Sequence, residues 1–194
     1  MKTSAKGGSA KRDLLLDTAF ALFARDGYHA VGIDTVLAKA GVAKMTLYNH
    51  FKSKEELIAA VLDRRAREIA AEIEAHVAAA SGGARGRVLA VFDWLDAWFR
   101  SPGFHGCLFI KAASEYPLKG DLPRQASVAF KSACLGLLER LCDELEVADA
   151  AALARQLALL IEGATVLAFI FRSPDSAADA RAAAAKLLTV AKLR

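Results

Sequence analysis

Four prolines in 194 residues leave most of this chain without a helix breaker. Proline inside a helix removes a backbone hydrogen bond and clashes with the preceding turn, so its scarcity permits long helices. Alternating β-branched runs, the mark of half-buried strands, are almost missing, and the 55% hydrophobic content is heavy in Ala and Leu. The expected fold class is therefore all-α. Cysteine is also sparse. Cys107, Cys134 and Cys142 are odd in number, widely spaced and without a CxxC pair, which argues against a disulfide framework or zinc site and suits reduced thiols. The four histidines (His29, His50, His76 and His105) are scattered and form no HExxH. No GxGxxG, GxxxxGK[ST] or GxSxG occurs, so dinucleotide, P-loop and nucleophile-elbow chemistry lack their motifs. Neither cofactor nor metal is expected. The first twelve residues lack the apolar stretch of a signal peptide, and the longest apolar run, Gly163–Phe171, is too short to cross a bilayer. These absences point to a soluble, cytoplasmic protein with no membrane partner.

What is present begins with charge. The chain carries 26 Lys+Arg and 22 Asp+Glu, of which 9 and 6 fall within residues 1–56, leaving 17 and 16 for the rest. The excess of +3 in the first segment suits phosphate binding, although such a balance is ordinary for a segment this long. Residues 1–10 are small, polar and basic and read as a flexible arm, able to track a minor groove or simply to solubilise. A first helix is expected over Lys11–Arg25, with Leu15, Ala19, Leu22 and Phe23 inward and Gly27 ending it.

The segment Ile33–Phe51, IDTVLAKAGVAKMTLYNHF, is the most informative. Ile33, Val36, Leu37 and Ala40 recur at helical spacing and define one face of a short helix. Gly41 follows where a helix end takes left-handed geometry, and Val42 plugs the corner. In the next stretch Leu47 and Phe51 point inward, leaving Lys44, Met45, Thr46, Tyr48, Asn49 and His50 on the free face. Two short helices across a tight turn make a helix-turn-helix, whose second helix fits the DNA major groove. Ser53 then opens a long helix, and Glu56, three residues on, can reach back to its amide in a capping box. That helix extends to about Ala80, where Ser-Gly-Gly breaks it.

GVAKMTLYNHFKSKEELIAAVL resembles the helix-turn-helix and following helix of the TetR family of one-component transcriptional regulators, whose pattern is roughly AGVS, three variable residues, LY, two more, F, a spacer, and SKEEL. The resemblance covers about Leu15–Leu62. It departs from the pattern at Gly32, where the family usually has Thr, and at Ala43, where it usually has Ser. Alanine caps a helix up to ~1 kcal/mol less well than serine, so the third helix should begin less firmly. The resemblance implies a helix-turn-helix domain over 11–56 and a larger helical domain for ligand binding and dimerisation over 57–194. It further implies that Lys44, Met45, Thr46 and Asn49 face base edges while Tyr48, His50 and Lys54 sit against phosphates. The chemistry agrees: Lys donates to guanine, Asn pairs bidentately with adenine, and methyl groups suit thymine. Lys54, in the first turn of the long helix, adds charge where free amides already favour an anion.

Beyond Arg85, aromatic residues gather. Phe92, Trp98, Phe99, Phe104, Phe109, Ile110 and Tyr116 could wall a ligand pocket, with His105, Cys107 and Glu115 as polar anchors. An aromatic stripe at helical spacing equally suits plain core. A short helix is expected over Phe104–Glu115, then helices over Pro123–Leu145, Ala148–Arg172 and Ser176–Leu193. The penultimate helix is apolar nearly all round and so must be buried on every side. TetR-like proteins pair their last two helices across a twofold axis, which nominates Leu157, Ile161, Ala164, Ala168, Ala184 and Leu188 for a dimer interface; burial within one subunit is the alternative. The expected function is a dimeric, ligand-responsive repressor of a palindromic double-stranded operator, with a small hydrophobic effector. The rival is a helical interaction or enzymatic module carrying an architectural helix-turn-helix.

Overall fold

The computed structural model describes residues 4–191, and among these the regular structure consists of nine helices. They are α1 (Ser4–Asp26), α2 (Ile33–Ala40), α3 (Lys44–Tyr48), α4 (Lys54–Ala79), α5 (Gly83–Phe99), α6 (Leu108–Glu115), α7 (Leu122–Asp143), α8 (Ala150–Phe171) and α9 (Asp175–Val190). Contacts divide the chain into two compact units, residues 1–66 with 108–130, and residues 67–107 with 131–194. The expected division at residue 56 thus changes twice: the boundary falls inside α4, and α6 with the start of α7 joins the first unit. The chain is helical from Ser4, so the arm expected over 1–10 is not an extended tail where it is described.

In the first unit, Leu15, Leu16, Ala19 and Phe23 of α1 are buried together with Val36, Leu37, Leu47, Phe51, Leu57, Ile58, Val61 and Leu62. Apolar side chains at i, i+3 and i+4 make the inward stripe of each helix, and this shared core sets the helix-turn-helix on α1 and α4. Ser53 starts α4 as expected, its hydroxyl accepting from the Glu56 amide at 3.2 Å. The return bond is displaced by one residue, because the Glu56 carboxylate accepts from the Lys52 amide at 2.7 Å rather than from Ser53.

In the second unit α9 packs against both α5 and α8. Ala177, Ala180 and Ala184 are buried on α9, and their small side chains let helices approach closely. α6 begins four residues later than expected because the chain turns through Gly106 at φ +80, a left-handed value that interrupts a helix. α8 is 22 residues long with mean hydropathy 1.6 over its most apolar window, long and apolar enough by composition to span a bilayer. The expectation of no such segment counted only uninterrupted apolar runs; Arg155 and Glu162 break the run without lowering the average far. Leu153, Ala154, Leu157, Ala164, Thr165 and Ala168 form a buried side of α8, as in a core helix.

Candidate nucleic-acid interface

The site is built on a five-residue helix. α2 ends at Gly41, which takes φ +63 and ψ +34, while the Val42 amide reaches back to the Leu37 carbonyl at 3.2 Å. That left-handed residue reverses the chain within two positions. Ala43 then sits in extended geometry with no side-chain cap on the free amides of α3. The first turn is held by backbone bonds alone, from Thr46 N–H to the Ala43 carbonyl at 2.9 Å and from Leu47 N–H to the same oxygen at 3.4 Å. Leu47 and Phe51 are buried, which anchors α3 from beneath.

The opposite side is open. Met45 is 72% and Tyr48 45% exposed, and Lys44 and Asn49 are exposed with them. Thr46, His50 and Lys54 are half-buried at the edges. Of the seven expected DNA-contacting residues, four are thus exposed and three half-buried, and none is buried. Lys44 lies 3.6 Å from Asp34 across the turn, an exposed ion pair that water screens and a competing acceptor can exchange. The Arg12 guanidinium stands 5.3 Å over the Phe51 ring, tying α1 to the end of the motif.

The residues expected to wall a ligand pocket separate into two sets. In the second unit Trp98 stacks on Trp94 at 5.4 Å and meets Phe104 edge-on at 5.0 Å, and Phe104 packs on Phe99 at 4.9 Å. Trp94 donates to the Glu72 carboxylate at 2.9 Å, while Phe92 and Cys107 are buried and His105 is exposed. In the first unit Phe109 stacks on Phe130 at 3.7 Å, Ile110 is half-buried, and Tyr116 packs against Tyr28 and His29. Burial, with help from Glu55, Glu115 and Asp121, pushes the Tyr116 hydroxyl up to about 12. The Glu115 carboxylate accepts from the Tyr28 and His29 amides. Two open grooves of about 530 and 390 Å³ lie in the second unit, and none of the expected pocket residues lines either.

The residues nominated for a dimer interface lie on α8 and α9. Leu157, Ala164, Ala168, Ala184 and Leu188 are buried within the single chain, and Ile161 is half-buried. α8 and α9 pack on one another and on α5, and the small Ala side chains permit that close approach. The open side of α8 carries Leu159, Val166, Leu167 and Ile170 instead, with Leu159 72% and Ile170 60% exposed. No helical period distinguishes these two sides in a helix apolar almost all round, so the choice was not legible in sequence. Burial pushes the thiols of Cys134 and Cys142 up to about 11, which makes them poor nucleophiles near neutral pH. Among the described residues no group of His, Cys, Asp and Glu side chains is arranged to hold a metal.

Residues 15–61 match a family model described as bacterial regulatory proteins, tetR family. SCO4454, a TetR-family transcriptional regulator from Streptomyces coelicolor, has a structure that superposes with TM-score 0.88 at 35% identity, covering 93% of this chain and 95% of that one. The HTH-type transcriptional activator FasR from Mycolicibacterium smegmatis is 50% identical over 54 residues, 28% of this chain and 25% of FasR. The HTH-type transcriptional repressor NemR from Escherichia coli is 27% identical over 136 residues, 70% of this chain and 67% of NemR. The match to FasR thus spans about a quarter of that protein.

Proposed function

The chain belongs to the TetR family of transcriptional regulators, and from that premise we propose that it is a repressor that binds a palindromic operator as a homodimer and is released by a small hydrophobic molecule. Regulators of this family are not enzymes, and neither is this chain. The observation that carries the operator reading is the open face of α3, where Lys44, Met45 and Asn49 project from a helix anchored by Leu47 and Phe51. Lys44, Met45, Thr46 and Asn49 read base edges, while Tyr48, His50 and Lys54 hold phosphates. Cytoplasmic location follows from an operator on the chromosome.

Repression is supported by NemR, a repressor aligned along most of this chain, whereas FasR, an activator, aligns over 54 residues only. Dimerisation is supported by the apolar strip Leu159, Val166, Leu167 and Ile170, which a second copy would cover across a twofold axis. A dimer doubles the contacts that one short recognition helix makes and reads both halves of a palindrome. For the effector, the cluster of Trp98, Phe99 and Phe104 is the wall the proposal retains. A mobility shift on DNA flanking the gene, with and without candidate hydrophobic metabolites, tests the reading. Selective nanomolar binding that a metabolite reverses is expected; binding that no DNA sequence improves over random competitor overturns it.

A further inference from the structure

Three parts of α6 hold the end of α1 and the turn that follows it. At the end of α6 the Glu115 carboxylate accepts two successive backbone amides, Tyr28 N–H at 3.0 Å and His29 N–H at 2.6 Å. The imidazole of His29 returns the contact, its Nε2 lying 2.7 Å from the Glu115 carbonyl oxygen. That oxygen is one of the acceptors a helix end leaves without an internal partner, so His29 caps α6. In the middle of α6, Lys111 donates to the Ala24 carbonyl at 2.8 Å and caps the end of α1 in the same way. At the start, the buried Tyr28 hydroxyl donates to the Leu108 carbonyl at 3.0 Å. Gly27 completes the fit: its φ is +86, and a Cβ there would stand 3.0 Å from Glu115 Oε1.

Apolar packing holds α2 and α3 against α1, but it leaves the path of the connecting turn unspecified. Residues 27–32 contain one left-handed glycine and no helical ladder, so the amides after Gly27, whose own N–H donates to the Phe23 carbonyl, need partners from elsewhere. Glu115 supplies two acceptors on one rigid group, and a charged acceptor bonds amides more strongly than a neutral one. We propose that Glu115 is a positioning residue for DNA binding, its carboxylate fixing the turn from which the helix-turn-helix is carried and so presetting the pose of α3. This rests on the operator reading above. It makes α6 part of the DNA-binding head, although residues 67–107 of the second unit lie between Ala66 and Leu108 in the chain.

The test pairs amide exchange on the free full-length protein with operator binding. Glu115→Ala removes both acceptors. Exchange at Tyr28 and His29 should accelerate by about a hundredfold, as expected for amides losing a structural partner. Operator affinity should fall by about tenfold, equally for all operator variants and with an unchanged salt slope, because no phosphate contact is lost. Glu115→Gln, which keeps one acceptor oxygen and the length of the side chain, should recover part of both and remains readable if the alanine variant folds poorly. Val61→Ala, a core truncation elsewhere in the same unit, is the control for general destabilisation. Faster exchange with undiminished affinity overturns the proposal, as does an affinity loss that Val61→Ala reproduces at equal Tm. A wild-type protein with protected Tyr28 and His29 amides but no selective DNA binding overturns the operator reading, and the positioning role with it.

Discussion

Two exposed surfaces, one in each unit, stand on helices of very different build. α3 is five residues long, lacks a side-chain cap, and presents Lys44, Tyr48 and Asn49 around Met45. α8 is 22 residues long and presents Leu159, Val166, Leu167 and Ile170. The short helix is anchored from beneath through Leu47 and Phe51; the long one packs on α5 and α9 along one side and leaves apolar surface that water disfavours on another. Polar groups that stay hydrated until a ligand with matching donors and acceptors arrives suit reversible, salt-sensitive recognition. Apolar groups in a strip suit a standing partner. The comparison teaches that exposure alone does not nominate a site; the chemistry of the exposed groups does.

The sharpest way to break the comparison is to charge the apolar strip. Val166→Glu with Ile170→Glu should convert a dimer to a monomer in sedimentation at micromolar concentration while the helical circular dichroism holds. Operator affinity should fall by more than a hundredfold, since one half-site contact set is lost with the partner. Ala164→Glu, on the buried side of the same helix, should instead lower Tm steeply, because an unpaired buried carboxylate costs on the order of several kcal/mol. A wild-type monomer, or equal effects from both substitutions, breaks the distinction between the two sides of α8.

On α3 the expected effects are smaller and differ in kind. Asn49→Ala or Lys44→Ala should cost about 1–3 kcal/mol and relax preference at one position in each half-site, measured by competition with single-base operator variants. Lys54→Ala should weaken all sequences alike and reduce the salt slope by about one phosphate contact. Ala43→Ser should go the other way. It places a hydroxyl at an uncapped N-terminus in extended geometry and should add up to ~1 kcal/mol to stability, read as a raised Tm.

A further effect, confined to alkaline pH, is on pH dependence. The thiols of Cys134 and Cys142 ionise near 9.0 when unperturbed and at about 11 in the fold. A folded value raised above the unfolded one means the native state holds its proton longer. Their contribution to stability is therefore full below pH 9 and lost as the pH rises toward 11. Tm measured across that range should fall less steeply in a Cys134→Ala, Cys142→Ala variant than in wild type.

Much of the DNA-binding head was legible because its signals are local. Gly41, the i, i+3, i+4 stripe of Ile33–Ala40, and Leu47 with Phe51 each act within a few residues, and the turn and buried side follow from them. The Ala43 defect was legible for the same reason. The grip of Glu115 on Tyr28 and His29 was not, since it joins residues 87 and 86 positions apart and leaves no local pattern. The open side of α8 was hidden differently: Leu157 and Leu159 are chemically alike, and only the placement of α5 and α9 decides which is covered. The aromatic residues after Arg85 read as one wall because composition does not reveal that Phe109 and Tyr116 pack in the first unit while Trp98 and Phe104 pack in the second.

The most direct test of the central claim is selection of bound duplexes from a random DNA library by the full-length protein, compared with its Asn49→Ala variant. Wild type should enrich a palindrome with half-sites about one helical turn apart, and the variant should lose preference at one symmetric pair of positions. Enrichment of no motif, or the same motif at the same strength from both proteins, would contradict the assignment of the α3 face to sequence readout.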